Sequence, residues 1–403
     1  MSSMKVCITT LEFPPDVGGV GESVKRISGM LANQGHEIHV VVFHSKRRKG
    51  DDALTDRKGF DSNLEEGIFV HRYQSVARTE ASSTQDFLSD VYAELRRLHD
   101  REHFDLFHGF YLNETGFLTT LLAKEVDRPV INSIRGADIH RNVFNPKQHS
   151  QILWALENSD WLTFVSRELE KRAHVLAPAI RHRTSAFWNS IVPIDFDRID
   201  KPTADPRLSG TVVGSFGNFR DKKGVDFLIW ACRELIKEMD LTLLLVGDFI
   251  AKEKAHWKKF ISDSGIAERI VVTGRLSREQ ALAYHHVVDI FAIPSLRDGC
   301  PNAMMEAMLA GQAIVGSSVD AIGEILSDDE DALVVRPGST QDLVTALSRL
   351  AQDPQLRQRL GAAAKSKACR ELSPAREQEN WLSAYHQVLS SSKPCVVEVK
   401  GAG

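Results

Sequence analysis

The chain has 403 residues, 42% apolar and 26% charged, with a net charge of −4. That length exceeds what one core usually supports, so two domains are expected, and the charge excludes a general polyanion or nucleic-acid binder. The five cysteines are scattered and lack metal spacing, which excludes a disulfide framework and a cysteine metal site and points to a reducing compartment. No apolar run approaches the roughly 20 residues of a membrane span. The opening Met-Ser-Ser-Met-Lys-Val-Cys-Ile leads almost directly into a strand, so no signal peptide and a cytoplasmic location are expected.

In chain order, an apolar strand over Lys5–Thr10 is followed by the Pro/Gly loop Phe13–Gly21, a helix from about Glu22 to Gln34, and a strand over Glu37–His44. The polar stretch Lys46–Glu66 reads as mobile, as does Lys393–Gly403. Asp105–Tyr111 and Pro129–Asp138 each close a strand. The second half repeats the opening pattern: strand Thr211–Phe216, loop Gly217–Gly224, helix Val225–Glu238, strand Leu241–Val246. Such units predict an α/β chain with two Rossmann-like, doubly wound parallel sheets, each with a crevice at its strand carboxyl ends. Residues 1–195 and 210–374 are the expected domains. A helix over residues 375–391 carries Trp381, Leu382, Tyr385 and Val388 on one stripe.

Residues Pro294–Gly311 carry the most chemistry. The strand Asp289–Ile293 runs into a Gly/Pro turn and then a helix whose first-turn amides lack intrahelical partners. Those amides and the helix dipole favour an anion. Asp298 lies in the turn and Glu306 eight positions on, one helical turn past Asn302. Two carboxylates would repel a phosphate directly and are better suited to hydroxyls on either side of it. A sugar joined to a nucleotide through a diphosphate has that shape. The loop Gly217–Gly224 adds Arg220, Lys222 and Lys223 just before a helix, where cations neutralise phosphate oxygens.

Asp298–Gly311 resembles the carboxylate-pair motif of retaining glycosyltransferases of the GT-B fold, especially family four, with Asp in place of the usual first Glu. Lys223-Gly224 matches that family's Lys-Gly, while Asn218 stands where the family has Arg, leaving Arg220 as the substitute. Pro14–Gly21 resembles the family's Gly-Gly loop near the scissile phosphate, with Gly19 at the donor, although ordinary turn chemistry explains this loop equally well. It is not a dinucleotide fingerprint, because Gly19-Val-Gly21 is followed by Glu-Ser-Val. Relatives often have His where this chain has Arg135. Arg cannot act as a base, but it can bind a hydroxyl, a phosphate or an acidic acceptor.

The resemblance implies two domains facing across a cleft, an acceptor domain first and a donor domain second, with the last helix crossing back. It implies a retaining, metal-independent transfer of a hexose from a nucleotide-diphosphate sugar, UDP- or GDP-linked, to an acceptor hydroxyl, with no cofactor. Arg220 and Lys223 would carry the leaving diphosphate, Asp298 the hexose hydroxyls and Glu306 the ribose hydroxyls. Gly217, Gly247, Arg275, Gly299, Cys300, Pro301 and Asn302 would line the donor pocket; for Arg275 a surface salt bridge is the alternative. His108, Arg135 and Asp138 would face the acceptor; for His108 a packed strand-end histidine is the alternative. A nucleotide-sugar epimerase of this fold and a non-catalytic sugar-nucleotide-binding protein are the competing readings. The basic patches Lys46–Lys49 and Arg181–Arg183 fit a solvated face or a weak peripheral membrane contact. Oligomeric state is not legible.

Overall fold

The structure, a computed structural model, describes residues 3–15, 18–43, 59–74 and 84–391. Asp16 and Val17 of the Gly loop, the Lys46–Lys49 patch and the Lys393–Gly403 tail lie outside them. The chain divides into two compact units. The first runs to Phe187, without Ser166–Glu168, and resumes at Gln378. The second spans Trp188–Glu377 together with Ser166–Glu168. The division therefore falls earlier than residue 195, because Trp188–Ile194 contributes Ile191 to the second unit's core.

The first unit's strands are β1 (Lys5–Thr10), β2 (Glu37–Val42), β3 (Gly59–Glu65), β4 (Ile68–Gln74), β5 (Leu106–Phe110), β6 (Val130–Ile134), β7 (Trp161–Phe164) and β8 (Thr184–Ala186). They form one sheet in the order β3-β4-β2-β1-β5-β6-β7-β8. All pairs are parallel except β3 with β4. β3 corrects the reading of Lys46–Glu66 as a mobile stretch over its last part, Gly59–Glu65, while residues 46–58 lie outside the described residues. Phe60 pairs with Tyr73 and Leu64 with Phe69 across the hairpin, while Ser62 Oγ meets His71 Nδ1 at 2.7 Å. Both faces of the sheet are covered. On one, Trp381, Ala384, Tyr385 and Val388 of the terminal helix Pro374–Ser391 enter the core with Val6, Ile8, Leu106 and Phe110.

The second unit's strands are β9 (Thr211–Phe216), β10 (Leu241–Val246), β11 (Ile270–Val272), β12 (Ile290–Ile293), β13 (Ala313–Ser317) and β14 (Leu333–Val335). They form an all-parallel sheet in the order β11-β10-β9-β12-β13-β14. Every residue of β10 is buried, as a strand covered by helices on both faces requires. The chain winds outward from β9 in one direction and then from β12 in the other. The switch point lies between β9 and β12, where a doubly wound sheet opens a crevice at its carboxyl edge. No helix of the described residues is long and apolar enough to cross a membrane.

Candidate active site

The loops leaving β9 and β12 meet at that switch point, and glycine geometry lets them do so. Gly217 has φ 140° and Gly247 φ 132°; a Cβ on Gly247 would lie 2.0 Å from the Gly217 carbonyl oxygen. Gly224 takes the left-handed conformation (φ 65°) just before the helix Val225–Leu235, and a Cβ there would lie 2.1 Å from the Pro294 carbonyl oxygen. Only glycine allows that approach. The Leu296 amide then donates to the Lys222 carbonyl at 2.8 Å. The two loops are thereby fixed side by side.

Their side chains form a compact charged cluster. Lys223 Nζ lies 2.6 Å from Asp298 Oδ2, and Lys222 Nζ lies 3.1 Å from Asp298 Oδ1. Asp298 is buried, and its own amide donates to Asp320 Oδ2 at 2.8 Å. Burial works against the Asp298 charge, but Lys223 and then Lys222 outweigh it and hold the carboxyl well below the usual carboxylate range. Burial pushes the Lys222 ammonium down, and Asp298 opposes that. Arg220 stands beside this group, half-buried, and its Nε has no hydrogen-bond partner among the described residues. Asn218 is exposed.

Beyond Asp298 the turn enters the helix Asn302–Leu309. Pro301 precedes it and offers no side-chain cap; the Met304 amide donates to the Pro301 carbonyl at 3.2 Å, which leaves the amides before Met304 and the helix dipole to favour an anion. Gly299 gives its carbonyl to the Ala321 amide at 3.2 Å, and the Cys300 carbonyl receives Asn189 Nδ2 at 3.5 Å. These contacts fix the turn by its carbonyl groups. Met304, Met305 and Met308 are fully buried core. Glu306 projects from the same helix, and its Oε1 meets Arg278 Nη2 at 3.2 Å and Nε at 3.4 Å. Burial raises the Glu306 carboxyl pKa, and Arg278 opposes that. Arg278 is the first residue of a helix that Ser277 and Gln280 close with a reciprocal capping box. Arg275, the expected arginine of this segment, is exposed instead.

In the first unit the candidates separate. His108 is fully buried, and both its ring nitrogens are bonded internally, Nδ1 to the Tyr385 hydroxyl at 2.8 Å and Nε2 to Ser133 Oγ at 2.7 Å. Burial, then the Arg135 charge, push it down to about 3. It is a neutral core histidine and offers no ring nitrogen to an acceptor. Asp138 is also fully buried, and its carboxylate accepts from the Leu112 amide at 2.9 Å and the Arg135 amide at 3.0 Å. It ties the ends of β5 and β6 together rather than facing a substrate. Arg135 is half-buried, its guanidinium 5.7 Å from the centre of the Phe110 ring. Gly19 begins the helix Gly19–Ala32, and a Cβ there would meet nothing within 4 Å.

Two residues of the second-unit cluster, Arg278 and Asp320, were not expected from the sequence, and Lys222 was expected only as part of the basic loop Gly217–Gly224. Arg278 was detectable from the capping pattern Ser277-x-x-Gln280, which places it at a helix start. Asp320 left no local signal, since only the folded chain brings it to Asp298.

The two halves of the chain match two family models. Residues 17–187 match the model described as Glycosyltransferase Family 4, and residues 210–353 the one described as Glycosyl transferases group 1. The chain is 21% identical over 385 residues to the N-acetyl-alpha-D-glucosaminyl L-malate synthase of Bacillus anthracis, covering 94% of this chain and 96% of that protein. It is 24% identical over 374 residues to the GDP-mannose-dependent alpha-(1-6)-phosphatidylinositol monomannoside mannosyltransferase of Mycolicibacterium smegmatis, covering 88% and 91%. Among solved structures, the sucrose-phosphate synthase of Thermosynechococcus elongatus superposes with a TM-score of 0.77 at 16% identity, covering 96% of this chain and all of that one. That likeness is one of fold, and the fold is GT-B.

Proposed function

The chain belongs to the group 1 glycosyltransferases of family four, and from that premise we propose that it is a retaining, metal-independent hexosyltransferase. Its donor is a nucleotide-diphosphate sugar, UDP- or GDP-linked, and its acceptor a free hydroxyl. The observation that carries this reading is the placing of Lys223 against Asp298 beside an uncapped helix N-terminus, with Glu306 on that same helix. Cations and open amides suit the diphosphate, and the carboxylates suit the sugar and ribose hydroxyls that lie on either side of it in such a donor. The dependence on GDP-mannose in the name of the Mycolicibacterium relative supports the donor class.

In this mechanism the bond between the anomeric carbon and the terminal phosphate oxygen breaks. The acceptor oxygen bonds to the same face of the sugar, and its proton passes to the departing phosphate oxygen. Lys223 and Arg220 stabilise the charge gained by that oxygen, the main service such a site renders. Glu306 accepts from the ribose hydroxyls and so fixes the donor relative to those cations. No enzyme base is needed, which suits a first unit whose His108 is locked in its core.

Product stereochemistry tests the proposal. With a donor of α configuration and EDTA present, NMR should show the transferred or hydrolysed sugar released first as the α anomer. A β product, or activity restored only by added divalent cation, would overturn the mechanism.

A further inference from the structure

Asp298 was expected on the hexose hydroxyls, yet its two oxygens are bonded to two different ammonium groups. An anion already lies between Lys222 and Lys223. Both lysines are oriented by the backbone as well as by Asp298. Lys222 gives its carbonyl to Leu296, and Lys223 closes the short turn Asp221–Lys223 that Gly224 terminates. The side chains of Lys222 and Lys223 are 24% and 16% exposed, so both are shielded while still reaching the crevice edge. Arg220 brings a third positive charge, with a buried Nε that has no partner among the described residues. The formal charge of Arg220, Lys222, Lys223 and Asp298 together is about +2 at neutral pH. A nucleotide-diphosphate sugar carries about two negative charges on its diphosphate, and the free nucleoside diphosphate about one more.

We infer that Lys222 is a second lysine ligand of the donor's terminal phosphate, and that Asp298 is the counter-ion holding Lys222 and Lys223 in place until the phosphate displaces it. This rests on the donor class proposed above. The assignment adds a cation beside Lys223 and Arg220 in a site where Asn218 stands at the position of the family's arginine. It also accounts for the short first acid: Asp298 ends at the lysines, and hexose contact passes to the turn amides. After transfer, the phosphate leaves as Asp298 recovers both ammonium groups, which favours product release.

The experiment is calorimetric titration of the full chain with UDP and UMP, GDP and GMP, and ADP and AMP. Lys222→Met should weaken the preferred diphosphate by about tenfold or more, the scale of one lost charge-assisted hydrogen bond. The matching monophosphate should change by less than about threefold, and Lys222→Arg should recover most of the loss. Asp298→Asn should tighten the diphosphate, because its competitor for the ammonium groups is gone. Lys222→Met weakening mono- and diphosphate alike would show a distorted loop and overturn the assignment, as would an unchanged diphosphate affinity. Asp298→Asn weakening only the nucleotide sugar and leaving the diphosphate unchanged would return Asp298 to the hexose and overturn its counter-ion role. Wild-type protein that binds none of the three diphosphates would refute the donor reading itself, whereas wild-type binding with an inert Lys222 refutes this inference alone.

Discussion

Lys223 Nζ and Asp298 Oδ2 lie 2.6 Å apart although 75 positions separate them in sequence. The contact joins the loop after β9 to the loop after β12, and Lys222 completes it from the other carboxylate oxygen. Opposite charges in a partly buried setting depend on each other. Asp298→Ala leaves two shielded ammonium groups without their counter-ion and should destabilise the protein by about 1–3 kcal/mol. The double variant with Lys222→Met should lose less than Asp298→Ala alone, since one unpaired charge is removed with its partner. Urea midpoints of the four proteins measure this; strictly additive losses would contradict it.

Glu306 behaves in the opposite sense to Asp298. Burial raises its carboxyl pKa, so its protonated form is favoured in the folded state. The stability it contributes is therefore fully present below its unfolded value and is lost as pH rises through the folded one. Donor binding needs the carboxylate and should strengthen over that same rise. Glu306→Gln should cut nucleotide-sugar affinity by about tenfold or more and remove this part of the pH profile. Titrations across pH 4–8 on both proteins check it, and an unaltered profile would count against a ribose role.

Six of the described histidines are buried and held below their ordinary pKa, and three of them are lowered furthest. Burial lowers His108 to about 3, and His71 and His285 to about 4, from the ordinary 6.5. The unfolded chain takes up protons that the folded chain refuses, so their contribution is present above 6.5 and lost as pH falls. Asp298, held low by its lysines once burial is overcome, adds a further loss at more acid pH. Each histidine contributes up to about 1.4 kcal/mol per pH unit across its window. Denaturant midpoints should fall from pH 7 to pH 5; a flat response would contradict the neutral, buried assignment.

His108 also separates structure from catalysis. His108→Ala opens a cavity and leaves the Tyr385 hydroxyl and Ser133 Oγ without their shared partner. The expected loss is about 2–4 kcal/mol of stability with nucleotide affinity unchanged. Equal stability with altered nucleotide binding would reverse the assignment.

These particulars show how far the chain could be read before folding. β10, with Thr242 as its one polar residue, and β12 are apolar runs bounded by Asp, Gly or Pro, so their burial on both faces was visible. β3 was not, because Phe60 and Leu64 are four apart in a polar segment and its pairing depends on β4. The turn before the helix Asn302–Leu309 stood out because strand, glycine, proline and helix follow in order within residues 289–311. Burial of His108 was undecidable, since the partner that encloses it, Tyr385, arrives from 277 positions away. Asp320 acquires meaning only through its tertiary contact with Asp298, and so does the pairing of Lys222 with that carboxylate. Local chemistry was legible, and long-range pairing was not.

In the proposed function the second unit binds a nucleotide-diphosphate sugar at Lys223, Asp298 and Glu306. Thermal denaturation with UDP-, GDP-, ADP- and TDP-sugars tests it most directly. A ligand at about 100 times its dissociation constant adds about 2.7 kcal/mol of stability. At least one of the four should raise the midpoint of the wild type, and the same ligand at the same concentration should stabilise Glu306→Gln by about half as much or less. No shift with any of them, or an equal shift in the variant, would contradict the account.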